Sequence, residues 1–360
     1  MSGDTTMQFL TDWFKHYFSD PEVVFLTIFL LLGFAVVLTM GHMLAPVLAS
    51  VVIAYLLEGL VGIIERRGAP RLAAVLVVFI GFMLFVTLVL FVLLPQVSTQ
   101  ATQLFQQIPS MITKGQGLLM RLPENYPDII SPAQVQEIIG VIRQEIAEFG
   151  QRVVSLSLAS VVGIITILIY VILMPLLVFF FLKDKHLIVH WGTSFLPRDR
   201  RLADAVWRDM DRQIANYVRG KFWEIIIVWA ASFVTFSLMG LEYAMLLGVL
   251  VGLSVIVPYI GAAVVSLPVI LIAWFQWGWG ADFIWLTVAY LVIQALDGNV
   301  LVPLLFSEAV NLHPVAIIVA ILVFGGFWGF WGVFFAIPLA TLVQAVISAW
   351  PKGRMVKEAM

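Results

Sequence analysis

The chain has 360 residues, of which 62% are hydrophobic and only 12% are charged, with a net charge of -2 and a mean hydropathy of +1.03. Soluble domains carry about 25% charged residues, so this composition excludes an ordinary soluble protein and favours a helical membrane protein. Cysteine is absent, which excludes disulfides and thiolate metal sites. The sequence contains no HExxH, GxSxG or P-loop pattern, and it therefore predicts neither an enzyme, a metal site nor a bound cofactor.

The amino-terminal quarter is predicted to enter the membrane three times. Residues 1–20 are polar and aromatic, and we expect them to lie in the interface on the cytoplasmic side. The apolar blocks on either side of residues 40–43 are each long enough to cross a bilayer, and the short link between them predicts an antiparallel hairpin. A third apolar block ends at Pro95, so residues 21–95 are predicted to form three transmembrane helices.

The middle of the chain alternates between polar and apolar segments. Within residues 96–152, apolar side chains recur at helical spacing, which predicts amphipathic helices outside the membrane. Their apolar faces need a partner, which is either each other, the lipid surface or a neighbouring subunit. Residues 153–182 are predicted to be a fourth span, followed by a basic cytoplasmic segment at 183–221.

The positions of the basic residues predict the orientation of the chain. Lysine and arginine concentrate in residues 65–71, in 183–221 and in the carboxy-terminal tail, 351–360. By the positive-inside rule these segments and both termini are cytoplasmic, whereas 96–152 faces outward. An even number of crossings follows.

Residues 222–350 contain two apolar segments that are too long for a single unbroken span. The first, 243–275, would measure about 50 Å as a straight helix, against a hydrocarbon core of about 30 Å. Pro258 and several glycines lie inside it, so we expect it to be broken. The second, 313–347, is interrupted in the same way by Gly325, Gly326, Gly329, Gly332 and Pro338.

Each broken segment follows an ordinary span, and the two copies lie about 70 residues apart, which is the pattern of an internal repeat in secondary transporters. If both are re-entrant hairpins that enter from opposite sides, the chain has six spans and an inverted repeat. If both cross the membrane as kinked helices, it has eight. Either way we predict an all-α, polytopic membrane protein with six to eight spans, in which residues 222–350 are the transport core.

Asp297 is the first candidate for a functional residue, because it lies inside an apolar span. A carboxylate at that depth is costly unless it faces a partner, water or a cargo. Gln294 shares its helix face, Asn299 follows two residues later, and Gly298 offers a break where backbone carbonyls can turn toward a cation. The alternative is that Asp297 lies near a helix end and reaches the interface.

The run at 257–261 supplies a second group of candidate binding residues, Pro258, Tyr259 and Gly261. Proline removes a backbone donor and glycine permits an unwound turn, so helix ends exposed there can bind cations through carbonyls or anions through amides. The alternative is a hairpin tip or a packing kink.

Three glutamates are candidates for proton coupling. For Glu58 the alternative is a position at the cytoplasmic interface, and for Glu224 it is an ion pair with Lys221 or Arg219 near the surface. Glu308 belongs to a short loop before the second broken segment, where cargo contact and a connecting role are both open.

Several short motifs occur in a fixed order along the chain. They are Asn-Tyr-Val-Arg-Gly-Lys at 216–221, Ile-Val-Pro-Tyr-Ile-Gly at 256–261, Gln-Ala-Leu-Asp-Gly-Asn at 294–299, Leu-His-Pro at 312–314 and Ala-Ile-Pro at 336–338. This ordered set resembles the autoinducer-2 exporter (AI-2E) family, also called PerM-type permeases. The resemblance implies a permease, either for the furanone signal autoinducer-2 or, as in related members, for sodium or lithium in exchange for protons. It also implies a homo-oligomer, for which we expect a pentamer.

The sequence therefore predicts a secondary transporter of the bacterial inner membrane, driven by an ion gradient because no ATP-binding motif is present. Sodium/proton antiport at Asp297 is the first expectation, and export of autoinducer-2 or another small polar organic solute is the second. A non-transporting membrane scaffold whose 96–152 segment binds a partner is the rival from another class. The expected partners are a small solute or monovalent cation, membrane lipids and further copies of the chain, with no nucleic acid.

Overall fold

A computed structural model of the protein describes residues 21–120, 160–194, 201–258, 260–306 and 312–349, with parts of 131–148. These residues form helices joined by short turns, and no strand occurs among them. Several of the sequence predictions lie outside the described residues. They are the interfacial segment 1–20, the tail 351–360, much of the second half of the segment 96–152, and the candidate residues Tyr259 and Glu308.

Thirteen α-helices and two π-helical segments are described. They are α1 Pro21–Arg66, α2 Arg71–Leu88, the π-helix Val89–Leu93, α3 Leu94–Leu119, α4 Ser160–Lys183, α5 Lys185–Ser194, α6 Arg201–Leu238, α7 Ala244–Ser254, α8 Ile260–Trp277, α9 Ala281–Leu296, the π-helix Asp297–Leu301, α10 Val302–Phe306, α11 Pro314–Trp328, α12 Phe330–Phe334 and α13 Ala336–Ala349. Five of the described helical stretches are long and apolar enough to cross a membrane, and three shorter apolar helices accompany them. The prediction of an all-α, polytopic membrane protein is confirmed.

The first helix differs from the sequence prediction. α1 runs without interruption from Pro21 to Arg66, so the turn predicted at residues 40–43 does not form in the structure. The only helix breaker in that link is Gly41, and a single glycine costs a helix only about 1 kcal/mol. A short link between two apolar blocks is therefore weak evidence for a turn.

The third helix was predicted to end at Pro95, but it does not end there. The helix widens into the π-helix Val89–Leu93 and then continues as α3 to Leu119. A wide turn before a proline gives space to the ring and leaves fewer backbone hydrogen bonds to lose.

The start of α3 has a partner within the chain. Val97, Ala101 and Leu104 pack against the core cluster formed mainly by α6 to α9, and the side-chain oxygen of Gln100 accepts a hydrogen bond of 2.8 Å from the Leu246 amide. The sequence left three partners open for this amphipathic segment: its own helices, the lipid surface or another subunit. Its first part instead packs against the core of its own chain, including α7.

A cluster of ion pairs joins three helices at one end of the molecule, which we call the basic end. Arg71 at the start of α2 pairs with Glu58 and Glu65 of α1, each at 3.3 Å, and donates a hydrogen bond of 2.6 Å to the Leu182 carbonyl of α4. Lys185 binds Glu58 at 3.1 Å. These contacts hold the first half of the chain together where α1, α2, α4 and α5 meet.

The first broken segment forms a helical hairpin, hairpin A, from α7 and α8. α7 returns along α6 so closely that a Cβ on Gly252 would lie 2.6 Å from the Trp229 Cβ. The chain reverses at residues 255–258, called turn A, where a Cβ on Gly261 would overlap the Ser254 carbonyl.

The open end of hairpin A lies at the carboxy-terminal end of α6. There the Gln276 side chain binds the Glu242 amide and the Gly240 carbonyl, each at 2.8 Å. Both arms of the hairpin therefore begin at the same end of α6, which agrees with the re-entrant alternative for this segment.

The second broken segment forms hairpin B, from α11 to α13. A Cβ on Gly332 would overlap the Phe324 carbonyl, so the chain reverses between α11 and α13 through residues 329–335, called turn B, which include the short helix α12. Further along the two arms, Ala336 packs against Ala320 and Ile321.

The two hairpins meet beside α6. Ile317 and Ile337 of hairpin B pack with Tyr217 and Val218 in the first half of α6. Val257 of turn A packs against the cluster of Ala320, Ile321 and Ala336 in hairpin B. Both chain reversals therefore lie near the middle of α6, whereas the inverted repeat stays a prediction.

Candidate functional site

Asp297 is presented by a π-helical turn. The segment Asp297–Leu301 ends two residues before Pro303, just as Val89–Leu93 ends two residues before Pro95. The sequence suggested a break at Gly298, but the helix remains continuous and widens instead. π-helical turns of this kind occur frequently at functional sites, because they turn a side chain away from the regular helix face.

The carboxylate of Asp297 is incompletely satisfied. Among the described residues its Oδ1 atom is buried and has no hydrogen-bond partner. The positively charged Lys221 on α6 attracts it electrostatically. A buried carboxylate oxygen without a donor is costly, and such an atom suggests a site that takes up a proton or a cation.

Lys221 and Glu224 form a buried ion pair on α6. The Lys221 Nζ atom lies 2.6 Å from Oε2 of Glu224, and the two side chains are 4% and 3% exposed. Nζ also donates a hydrogen bond of 2.8 Å to the Val255 carbonyl in turn A and lies 5.2 Å from the centre of the Phe306 ring. Lys221 therefore links α6 to hairpin A through the helix-end carbonyl of Val255 and to α10 through the face of the Phe306 ring.

Glu224 and Asp297 repel each other across this pair. The two carboxylates and one ammonium group therefore act on one another, and together they carry a charge of -1 when all three are ionised. Buried charges at membrane depth are normally paired, so the described site is one positive charge short of neutral.

Hairpin B contacts the same part of α6. The Tyr217 hydroxyl lies one helical turn before Lys221 and donates a hydrogen bond of 3.1 Å to the Phe334 carbonyl in turn B. The Tyr217 ring is buried and tilts against Phe306. Two successive turns of α6 thus each bind one backbone carbonyl: Tyr217 binds a carbonyl of hairpin B, and Lys221 binds a carbonyl of hairpin A.

A chain of neutral polar groups leads away from Asp297 along α9. Gln294 Nε2 donates a hydrogen bond of 2.8 Å to the Tyr290 hydroxyl, which lies 2.8 Å from the Ser266 hydroxyl of α8. Residues 290, 294 and 297 share one face of the helix. The Ser266 hydroxyl in turn donates to the Ala262 carbonyl, at 2.7 Å.

The structure brings together some of the predicted residues and separates others. Asp297 and Glu224 interact with each other and with Lys221, Gln294 lies one helical turn before Asp297, and Pro258 and Gly261 shape turn A next to Lys221. Asn299 is exposed, and its side chain donates to the Ala295 carbonyl, one turn back on its own helix. Glu58 belongs to the ion pairs of the basic end.

Sequence reasoning missed Lys221 as a site residue. It was counted with the basic cytoplasmic segment 183–221, whereas the structure buries it within the candidate span Asp211–Leu238. The pairing of Glu224 with Lys221 was foreseen as the alternative, but near the surface. The signal in the sequence was the spacing of three residues between the two charges, immediately before an apolar run.

The comparisons with known proteins agree with this architecture. Residues 24–352 match the AI-2E family transporter profile. The chain belongs to the AI-2E transporter family. It is 47% identical over 355 residues to PerM of Escherichia coli K12, which is named as a permease, and the match covers 98% of this chain and 100% of that protein. It is also 26% identical over 305 residues to the transport protein YueF of Bacillus subtilis 168, covering 83% and 82% of the two chains.

Proposed function

We propose that this AI-2E protein is a secondary transporter that exchanges a monovalent cation for a proton at Asp297. The observation that carries the proposal is the cluster of the buried Lys221 and Glu224 with the half-buried Asp297, whose Oδ1 atom has no hydrogen-bond partner among the described residues. One sodium or lithium ion, or one proton, neutralises that cluster. Because a single negative charge accepts only one of the two at a time, binding of either excludes the other.

The position of the cluster supports transport across the membrane. It lies between a π-helical turn of α9, the reversal of hairpin A and the middle of α6. Secondary transporters place their sites at such interruptions, near the bilayer midplane, where helix ends supply carbonyl ligands. The chain contains no ATP-binding motif, so the driving force in this proposal is an ion gradient.

A second candidate is transport of a small polar organic solute such as autoinducer-2, which the family name suggests. The chain of hydroxyl and amide groups from Ser266 through Tyr290 to Gln294 favours it, because it offers donors and acceptors suited to a polyhydroxylated molecule. In this case Asp297 would act as a proton-coupling or hydrogen-bonding group beside the solute.

We further propose that the basic end faces the cytoplasm of a bacterial inner membrane, with both termini on that side. The cationic residues of the helix ends at Arg71 and Lys185 support this orientation. α2 exposes a row of apolar side chains, Leu72, Leu76, Ile80 and Leu84. Such a face suits lipid or another subunit, and we propose a homo-oligomer, with a pentamer as the expected size.

The test is a transport assay on purified protein in liposomes that hold a pH-sensitive dye. Sodium, lithium or potassium is added outside, and Asp297→Asn is measured beside Asn299→Ala, a change of a nearby polar residue whose side chain is exposed. We expect proton movement with sodium or lithium that Asp297→Asn abolishes and Asn299→Ala preserves. A folded protein that moves no protons with any of the three cations would refute antiport. Efflux of autoinducer-2 from loaded liposomes then tests the second candidate, and failure of both favours the scaffold.

A further inference from the structure

We propose that Lys221 and Tyr217 are separate latches, each of which holds the reversal of one hairpin closed against α6. The proposal deepens the function proposed above, because opening one hairpin at a time would expose the Asp297 site to one side of the membrane. Only that consequence for transport rests on the proposed function. The contacts that form the latches are observed in the folded chain and do not depend on it.

The latch on hairpin A is ionic. The Lys221 ammonium donates to the Val255 carbonyl at 2.8 Å, and that carbonyl lies at the end of α7, where it has no place in a continuing helix. The hydrogen bond comes from a charged donor and ends on the negative pole of a helix, so it is stronger than a neutral one. Glu224 keeps the ammonium in place at 2.6 Å.

The latch on hairpin B is neutral. The Tyr217 hydroxyl donates to the Phe334 carbonyl at 3.1 Å, and Phe334 lies in turn B, where α12 ends. The hydroxyl carries no charge that a cargo ion would repel. Release of turn B therefore requires the loss of a neutral hydrogen bond and the separation of Ile337 from Tyr217 and Val218.

The two latches differ in how they respond to the site between them. A cation bound between Asp297 and Glu224 competes with Lys221 for the same carboxylates and repels its ammonium group, which lies on a flexible four-carbon chain. That competition weakens the hold on Val255 while leaving the Tyr217 hydroxyl unaffected. Occupancy of the site is thereby coupled to hairpin A, whereas hairpin B opens independently of the charge.

The chain contains no cysteine, so single thiols can report on each turn. Ser254→Cys places a thiol at the end of α7, and Val333→Cys places one in turn B, where Val333 packs against Gly325. Each is made in the full chain, reconstituted in lipid nanodiscs, and its rate of reaction with a water-soluble maleimide is measured. The rate rises with the fraction of time for which the turn is open.

The latches are removed by Tyr217→Phe, which deletes one hydroxyl, and by Lys221→Met combined with Glu224→Gln, which removes the ion pair without leaving either partner alone. Glu224→Gln by itself is the control for the second, since it leaves the bond from Lys221 to Val255 in place. Size-exclusion profiles confirm that each variant is folded.

We expect Tyr217→Phe to accelerate labelling in turn B by roughly threefold to tenfold and to leave turn A unchanged, as the loss of one neutral hydrogen bond implies. The double variant is expected to accelerate labelling at Ser254→Cys by about tenfold or more, because a hydrogen bond to a charged group contributes more. Sodium or lithium should accelerate the same position only while Lys221 is present.

The proposal is overturned if either change accelerates both turns equally, which would mean general loosening, or if neither changes its own turn. It is also overturned if sodium accelerates the Ser254→Cys position equally with and without Lys221. Labelling requires no transport, so the two proposals can fail separately. If each change accelerates labelling only in its own turn but the protein moves no cation, antiport is refuted and the latches stand. If the protein exchanges cations for protons but labelling is not turn-specific, the latches alone are refuted.

Discussion

The charge balance of the site predicts unequal effects when its three ionisable groups are removed one at a time. Lys221→Met leaves the buried Glu224 and the half-buried Asp297 with no counterion among the described residues. Glu224→Gln and Asp297→Asn each leave the ammonium with one carboxylate. Loss of one partner from a buried ion pair costs about 3–5 kcal/mol when the other charge stays unpaired. We therefore expect Lys221→Met to cost that much, and each change of a carboxyl to an amide to cost less than about 2 kcal/mol.

Unfolding of the purified protein in detergent, followed through the fluorescence of its 12 tryptophans, measures this difference. A loss of that size lowers the Tm by roughly 5–15 °C, whereas the amide variants should stay within about 5 °C of the parent. Lys221→Met combined with Glu224→Gln should recover most of the loss, because only Asp297 then lacks a counterion. If Glu224→Gln destabilises the protein as much as Lys221→Met, Asp297 does not serve as a second partner of Lys221, and the reasoning is wrong.

Three further predictions concern the backbone and the basic end. Gly261→Ala should destabilise hairpin A by about 1–3 kcal/mol or more, since its Cβ overlaps the Ser254 carbonyl, while Gly298→Ala meets open space and should leave the Tm unchanged or slightly raised. Pro303→Ala removes the ring that favours the π-helical turn, so cation-dependent proton movement in liposomes should fall while the Tm is kept; unchanged transport would contradict this. Arg71→Met should cost about 1–2 kcal/mol in thermal unfolding, because three partners are lost, whereas Lys183→Met, at an exposed pair of 3.8 Å, should cost almost nothing; equal effects would contradict the distinction.

Hydropathy and helix breakers predicted much of the fold. The length of the segment 243–275 required a break, and the structure reverses the chain at residues 255–258, beside Pro258. The glycines of the second segment likewise mark turn B. In contrast, the helix ends predicted at residues 40–43 and at Pro95 were wrong. A lone glycine is tolerated within a helix, and a π-helical turn accommodates a proline. Composition reports that a breaker is present, but whether the helix ends there depends on what packs against it.

The site was only partly predictable for a different reason. Asp297 was found because an isolated acid in an apolar run has a cost that sequence alone reveals. Lys221 was missed because the sequence groups it with the basic segment 183–221. Arg219, only two residues earlier, belongs to that segment. Only the folded chain shows that the two side chains point differently: Arg219 lies over Gly59 of α1, whereas Lys221 is buried against Glu224 and Val255.

Four of the six residues in the motif at 216–221, one of those that suggested the family, can now be explained from the structure. Tyr217 binds turn B, and Lys221, four residues later on the same helix face, binds turn A. Between them, Gly220 admits Phe306, since a Cβ there would lie 2.8 Å from the phenyl ring, and Arg219 crosses to α1. One and a half turns of α6 thus contact both hairpins, the chain beyond the Asp297 turn and the first helix. A substitution in this short stretch therefore disturbs several packing contacts at once.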